Sequence, residues 1–510
     1  MYYKKTLLLF ILFSVIVFSL PMTGDVHADV SSVTYKGTLN GKRMHIYKFS
    51  TTTSGTLNID DTGTAATIGF YLREADNPQS NYIPGDTLPV GTYKFIVFSN
   101  EDISANYSYV ISGVTLAGTP DTTLPSLTIT KPSSYDFRIP KGYSTLNGEG
   151  TSNGITTVSI NENTYSIPTG SFTKYMSFRY GRNDVEFVTT NSSGNAVMDP
   201  FTVTVPGMKR ITGASPSEVA ANISIETDTT FYKDEQHTVI IARSDAYGDV
   251  LGSVPLSVKD KAPILYTTSN ALDSNTKTEI QRLGATKAII LGGTGSISTS
   301  VESELKNAGI TTIERIGGMN NYAVATGIAS RVITSETDTV IFASGQNFAD
   351  AIAASSYAGI TQTPILITPN TSLASEVKTF LQNNPNINHI IISGGSLSST
   401  VENELKNYGT VERVNGADRF ELAFWFASEF SASPSFSAVA DGTNYQHALA
   451  GAALAARNGG SVLLVTPTSL PNITLAYYEK YSPDLDNIYI LGNTTSVSDS
   501  TASTLNKYIP

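Results

Sequence analysis

Two patterns of apolar positions divide the chain. Up to about residue 206, apolar and polar residues alternate in short runs split by Gly and Pro. Examples are Met44-His45-Ile46-Tyr47-Lys48-Phe49, Ala66-Thr67-Ile68-Gly69-Phe70-Tyr71-Leu72 and Thr92-Tyr93-Lys94-Phe95-Ile96-Val97-Phe98. Period-two alternation between turn residues predicts antiparallel strands with one buried face, stacked as β-sandwiches. A Gly-Thr-Pro-Asp-Thr-Thr-Leu-Pro linker at 118–125 separates two such regions, 29–117 and 126–206. In the second, strands are predicted near 127–130, 156–160, 174–178, 184–189 and 201–205.

After Pro206-Gly207 the period changes. In the clearest stretch, Thr339 to Ala343 predicts a buried strand and Phe348 to Gly359 a small-residue helix. Strands at 364–367 and 389–392 follow, with helices at 373–382 and 400–407. Strands apolar on both faces and joined by helices imply a parallel sheet covered on both sides.

This block repeats three times. Arg210-Ile211-Thr212-Gly213, Arg315-Ile316-Gly317-Gly318 and Arg413-Val414-Asn415-Gly416 recur at a spacing near 100, as do Ile289 to Gly293, Ile391 to Gly395 and Tyr489 to Asn493. Pro263-Ile264-Leu265 matches Pro364-Ile365-Leu366 and aligns with Val462-Leu463-Leu464. Thr299 with Glu302 and Ser399 with Glu402 read as capping boxes opening a helix. A period this long makes each copy a small domain, not a solenoid turn. The copies are expected at 208–313, 314–412 and 413–510.

The triple block resembles the cell-wall-binding type 2 repeat family of Gram-positive surface proteins, whose stretches read R-[IL]-x-G-x-D-R-Y, N-F-x-D-A-L, P-I-L-L and [IL]-G-G. The second copy carries Asn347-Phe348-Ala349-Asp350-Ala351-Ile352, and the third Asp418-Arg419-Phe420 and Asn444-Tyr445-Gln446-His447-Ala448-Leu449. The first is the most degenerate, with Ala246-Tyr247-Gly248-Asp249-Val250-Leu251. The Asp-Arg pair survives only as Asp418-Arg419; Asn320-Asn321 and Ser215-Pro216 stand in the other copies. The resemblance implies three Rossmann/Toprim-like α/β repeats in a pseudo-threefold module that holds the protein on an anionic secondary cell-wall polymer. Two weaker resemblances concern the first half. Leu88 to Phe95 is similar to the closing hairpin of pre-peptidase C-terminal-type domains. Gly181 to Val188 followed by Ser193-Gly194-Asn195 is similar to the end of bacterial immunoglobulin-like domains.

Composition narrows the class. The chain has no Cys, which excludes disulfides, thiolate metal sites and a Cys nucleophile. Net charge is −11, against nucleic-acid binding. The N-terminus explains export: Lys4-Lys5, an apolar run from Leu7 to Leu20 and Val26-His27-Ala28 read as a secretory signal peptide over 1–28. No membrane contact is expected after its cleavage, and no C-terminal sorting tail is visible. Residues 208–510 carry 19 Lys+Arg against 28 Asp+Glu, net −9. An acidic module can hold an anionic polymer only through local basic spots or bridging cations.

Candidate polymer-binding residues follow from the repeat. Arg210, Arg315 and Arg413 suit a phosphate or carboxylate, or they close ion pairs between copies. Asp418 and Arg419 form the surviving motif pair. Asn347, Asp350 and Asn444 open helices at the sheet edge where open α/β ligands bind, as contacts to sugar hydroxyls or as helix caps. Pro263, Ile264, Leu265, Pro364, Ile365, Leu366, Val462, Leu463 and Leu464 match the family's anchoring-linked strand, and read physically as core. Gly292-Gly293-Thr294-Gly295-Ser296 is a tight turn more than a phosphate cradle, because the other copies break its pattern. His45, His237, His389 and His447 are scattered, with no zinc spacing and no Gly-x-Ser-x-Gly elbow. Asp60-Asp61 is too small a set for calcium. Trp425 lies in an apolar helical run and reads as packing. Tyr71, Tyr82, Tyr93, Tyr107 and Tyr109 line a carbohydrate face or follow the strand preference for Tyr.

The resulting expectation is a secreted, wall-anchored surface protein without a cofactor, not an enzyme, with surface-layer proteins among its possible neighbours. One alternative is an adhesin whose sandwiches bind a carbohydrate or host protein. Another is a wall hydrolase with a carboxylate site, whose pair is spatial and invisible in sequence.

Overall fold

A computed structural model describes residues 29–77, 80–99, 101–161, 163–231, 238–430 and 435–509. The signal-peptide reading (1–28) and His237 fall outside them. The chain forms two compact units, Met1–Val205 and Pro206–Pro510.

The first unit has sixteen described strands: β1 (Val30–Asn40), β2 (Met44–Ser50), β3 (Gly55–Thr56), β4 (Asn58–Asp61), β5 (Ile68–Glu74), β6 (Thr87–Leu88), β7 (Thr92–Ser99), β8 (Ser104–Leu116), β9 (Leu127–Lys131), β10 (Asp136–Arg138), β11 (Thr145–Ser152), β12 (Ile155–Ile160), β13 (Asn163–Ile167), β14 (Gly170–Ser177), β15 (Gly181–Thr190) and β16 (Ala196–Val205). The expected strands are present, and the two halves keep separate cores, one over Val33 to Leu116 and one over Leu127 to Val205, joined by a shared sheet. One sheet runs β13-β12-β15-β16-β2-β7-β5, because β16 pairs antiparallel with β2 across Ala196–Ile46 and Met198–Met44. Arg43 clamps this junction with two bonds to Asp199, at 2.8 and 2.6 Å. Asn195 accepts from Lys48 N and donates to the carbonyls of Asp121 and Thr123. The 118–125 segment is therefore tied to both halves. Leu88 to Phe95 is no hairpin: β6 pairs with β3, and β7 with β2 and β5.

The tyrosines of the first half mostly turn inward. Tyr35, Tyr47, Tyr93, Tyr107 and Tyr109 are buried in one cluster. The Tyr107 hydroxyl lies 2.5 Å from that of Tyr47 and 2.7 Å from His45 Nδ1. Tyr82 packs against this cluster from its edge, and Tyr71 stacks on Phe98. These tyrosines follow the packing alternative rather than lining a carbohydrate face.

The second unit runs β17 (Gly207–Ile211), α1 (Pro216–Phe231), β18 (Thr238–Arg243), α2 (Ser253–Lys259), β19 (Ile264–Thr267), α3 (Ser274–Leu283), β20 (Lys287–Leu291), α4 (Thr299–Asn307) and β21 (Thr312–Ile316). The second copy continues with α5 (Asn321–Val332), β22 (Thr339–Ser344), α6 (Phe348–Thr361), β23 (Ile365–Thr368), α7 (Ser375–Asn383), β24 (His389–Ser393), α8 (Ser399–Leu405) and β25 (Thr410–Val414). The third has α9 (Arg419–Phe430), β26 (Phe436–Asp441), α10 (Tyr445–Arg457), β27 (Ser461–Val465), α11 (Asn472–Tyr481), β28 (Asn487–Leu491) and α12 (Asp499–Leu505). Three parallel four-stranded sheets result, ordered β19-β18-β20-β21, β23-β22-β24-β25 and β27-β26-β28-β17. The third sheet borrows its last strand from the start of the block: β17 pairs with β28 from Gly207–Asn487 to Ile211–Leu491. Each copy thus ends structurally on the strand that opens the next sequence repeat, and β17 closes the set.

Helices α2, α6 and α10 pack together in a core shared by all three copies. Their sequences explain the close approach. Ala351, Ala354, Ala358, Ala448, Ala452 and Ala455 are fully buried, and a Cβ on Gly359 would meet Ala456 Cβ at 2.8 Å. Among the described residues, no helix is long and apolar enough to cross a membrane.

Candidate functional site

In each sheet the strand order reverses between the first and third strands of the copy, as between β22 and β24. Loops leaving these strands face each other there, the usual ligand crevice of open parallel sheets. The same set of residues recurs at each crevice. Asp249, Asp350 and His447 lie against Gly292, Gly394 and Gly492, whose φ values are 104°, 79° and 96°. A side chain on any of these glycines would collide with the acid or imidazole, so the glycine repeat serves both the turn and this close approach.

The three crevices differ chemically. Asp249 accepts from Ser296 Oγ at 2.7 Å. Asp350 is 5 % exposed; one of its oxygens accepts from Asn347 Nδ2 at 3.3 Å and the other has no partner. Burial lifts the Asp350 carboxyl above the usual range, against the pull of Ser396, Arg419 and Arg413. His447 is 5 % exposed with neither ring nitrogen paired, and burial pushes it down to about 4. Asn347 and Asn444 cap α6 and α10 by accepting from Ala349 N and His447 N. Asn347 also donates to Ser396 Oγ at 3.0 Å.

Three aromatic rings join the crevices. Tyr247, Phe348 and Tyr445 occupy one repeat position and lie 5.5, 5.9 and 5.9 Å apart. The Tyr247 hydroxyl donates to Gln346 O, and Tyr445 to Ser244 O, so each crosses to another copy. Sequence reasoning aligned these motifs without drawing out the aromatic column. The signal was the ring one residue after Asn347 and Asn444, matched by Tyr247.

The period-matched arginines turn inward. Arg315 donates to Gly292 O and binds Glu302 twice, through Nε and Nη2. Arg413 does the same with Gly394 O and Glu402, and also reaches Leu397 O. Arg210 donates to Gly492 O, Val497 O and Asp499, closing β17 onto the third copy. Glu302 and Glu402 are therefore partners of arginine, not members of a capping box; Ser298 and Ser398 hold the N-cap positions. Side-chain exposures of 19, 18 and 20 % leave little of Arg210, Arg315 and Arg413 for a ligand.

Asp418 caps α9 by accepting from Phe420 N and Glu421 N, as Asn320 and Ser215 do for their helices. Arg419 donates to Gly442 O at 2.5 Å and lies 5.6 Å from the centre of the Phe348 ring, reaching from the third copy to the second. Ile264, Leu265, Ile365, Leu366, Val462, Leu463 and Leu464 are all at most 2 % exposed, so they make core, not polymer contacts. Pro263 and Pro364 lie at the start of the same strands, and their carbonyls accept from Ile240 N and Ile341 N. His389 stands 3.7 Å from Glu412, and Asp61 caps the turn at Gly63 and Thr64. Trp425 is 42 % exposed, less packed than expected.

Three tandem parallel-sheet α/β copies share this strand-end geometry. The chain belongs to the cell wall binding domain 2 (CWB2) family, whose model matches residues 210–302, 315–402 and 413–502. It is similar in structure to Cwp6 from Clostridium difficile (TM-score 0.56, 20 % identity, 76 % of this chain and 68 % of that one) and to Cwp8 (0.53, 18 %, 86 % and 74 %). In sequence it is 30 % identical over 325 residues to the N-acetylmuramoyl-L-alanine amidase LytC of Bacillus subtilis, covering 64 % of this chain and 63 % of that protein. It is 32 % identical over 262 residues to the amidase enhancer of the same organism, covering 51 % and 35 %. The chain thus spans less than two thirds of the first relative's length and about one third of the second's. The similarity to an amidase overturns the expectation that the chain is not an enzyme. That expectation rested on missing motifs, and residues brought together only by folding leave no motif to find.

Proposed function

We propose that the repeat module holds this protein on an anionic secondary polymer of the wall, and that the whole chain works in the wall-amidase system. The observation that carries the anchoring is the three family copies closed into one unit by β17. The crevice of the second copy, where Arg419 leans over Phe348 beside Asp350, is the best-supported contact point. Among the described residues Arg419 forms no ion pair, unlike Arg210, Arg315 and Arg413, so its charge is available to an anionic group. On this reading a module of net −9 engages an anion through one local cation and not a basic field. The other two crevices place Asn321 and Pro216 where Arg419 stands.

Co-sedimentation of the full chain with purified walls tests the anchoring. Walls bearing the secondary polymer should retain the protein, with retention falling as salt rises. Equal retention by polymer-stripped walls would refute it. The amidase reading is supported by the two Bacillus relatives. Release of peptide from purified walls, by the protein alone and with an added amidase, tests it; no release and no stimulation would remove it while leaving the anchor standing.

A further inference from the structure

The first unit carries a groove outside the repeats, and we infer that it binds a neutral sugar ring of a glycan chain. The groove lies on the sheet β14-β11-β9, with a cavity of about 480 Å³. Small-molecule sites span about 300–1,000 Å³. Tyr175, Asn147, Thr145, Phe137, Leu146 and Lys131 line it. Tyr175 pairs directly opposite Asn147, and side chains opposite each other on an antiparallel pair share a face.

These residues are unspent. Tyr175 is 65 % exposed and, among the described residues, neither its side chain nor the Asn147 carboxamide makes a hydrogen bond, ion pair or ring contact. An exposed aromatic face suits the C–H face of a pyranose, and a carboxamide offers both a donor and an acceptor to adjacent hydroxyls. Half-buried Phe137 and Leu146 supply an apolar floor, which fits the methyl of an acetamido group. Charge selects against an acidic polymer here. The cation of the groove, Lys131, is paired with Glu149 at 3.0 Å. The groove is therefore electrically balanced, in contrast to Arg419. The inference does not depend on the anchoring reading.

Titration of the full chain with the soluble β-1,4-linked tetramer of N-acetylglucosamine, followed by calorimetry, tests it. Saturable binding is expected. Tyr175→Ala should weaken it by about tenfold, a loss of one stacking contact worth about 1.4 kcal/mol, while Tyr175→Phe stays within about threefold because the ring face persists. Asn147→Ala should weaken it severalfold. Retention of Tyr175→Ala on polymer-bearing walls should match the unsubstituted protein, which separates this groove from the anchor. Absence of saturable binding, or equal binding by Tyr175→Ala, overturns the inference. So does a Tyr175→Phe protein as weak as Tyr175→Ala. Selective binding of a peptide in place of the tetramer also overturns it.

Discussion

The second and third copies place different chemistry on one backbone frame. Both open their central helix with a capping Asn and an aromatic residue, and both press the next polar residue but one against a glycine of positive φ. In the second that residue is Asp350, with the Arg419 guanidinium nearby; in the third it is His447, without a partner. The comparison shows that the repeat conserves geometry more strictly than charge. Backbone close approach tolerates only glycine, whereas the buried polar group set against it changes identity between the copies.

The largest expected effect comes from breaking the closure that makes the copies one unit. A chain beginning at Ala214 lacks β17 and Arg210, leaving β28 with an unpaired edge and the third sheet one strand short. Its third copy should unfold early, seen as lost hydrogen-exchange protection across β26 and β28, while the second stays protected. A chain beginning at Pro206 should behave as the intact one. Uniform protection in the shorter chain would show that the copies are independent.

The arginines give the next effect. Arg413→Ala removes several charge-assisted bonds and should lower stability by about 2–3 kcal/mol in urea unfolding. Arg210→Ala should cost about 1 kcal/mol, since its acidic partner Asp499 is 81 % exposed. Equal costs would contradict the difference in exposure between the acidic partners Asp499 and Glu402.

A pH series separates the two crevices by sign. The buried imidazole of His447 has its pKa lowered to about 4, so the unfolded chain binds more protons as pH falls below the ordinary histidine value of about 6.5. Its stabilising neutral state is complete above that value and is lost as pH drops toward 4. The raised Asp350 carboxyl acts oppositely: its contribution is complete below the ordinary Asp value and is lost as pH rises through the folded one. Hydrogen exchange local to α10 should therefore show protection falling between pH 6.5 and 4, and His447→Gln should flatten that slope. At the cap, Asp418→Ala should cost about 1 kcal/mol, and the smallest effect belongs to Asp418→Asn, which keeps an accepting oxygen.

Much of this was legible in the residues. The period change at Pro206, the threefold repeat and the elements of the middle copy, from Thr339–Ser344 to Ser399–Leu405, follow from apolar spacing, because burial on one or both faces leaves a local record. The candidate crevice was partly legible: Asn347 and Asp350 stood out as helix openers after a strand. The partners of the arginines were not, because Gly292 O and Gly394 O are backbone atoms that any residue supplies.

Tertiary structure alone decided which strand completes which sheet. A five-residue strand such as Gly207–Ile211 carries no label for its partner, and β28, whose edge it covers, lies at the far end of the block. The same holds in the first half, where alternation predicted the strands of two sandwiches but not the pairing of β16 with β2 that joins them. Alternation records which face is buried, whereas edge pairing depends on backbone hydrogen bonds common to every sequence. The sequence by itself thus determined the elements and their repetition. Packing determined closure and the inward turn of the arginines.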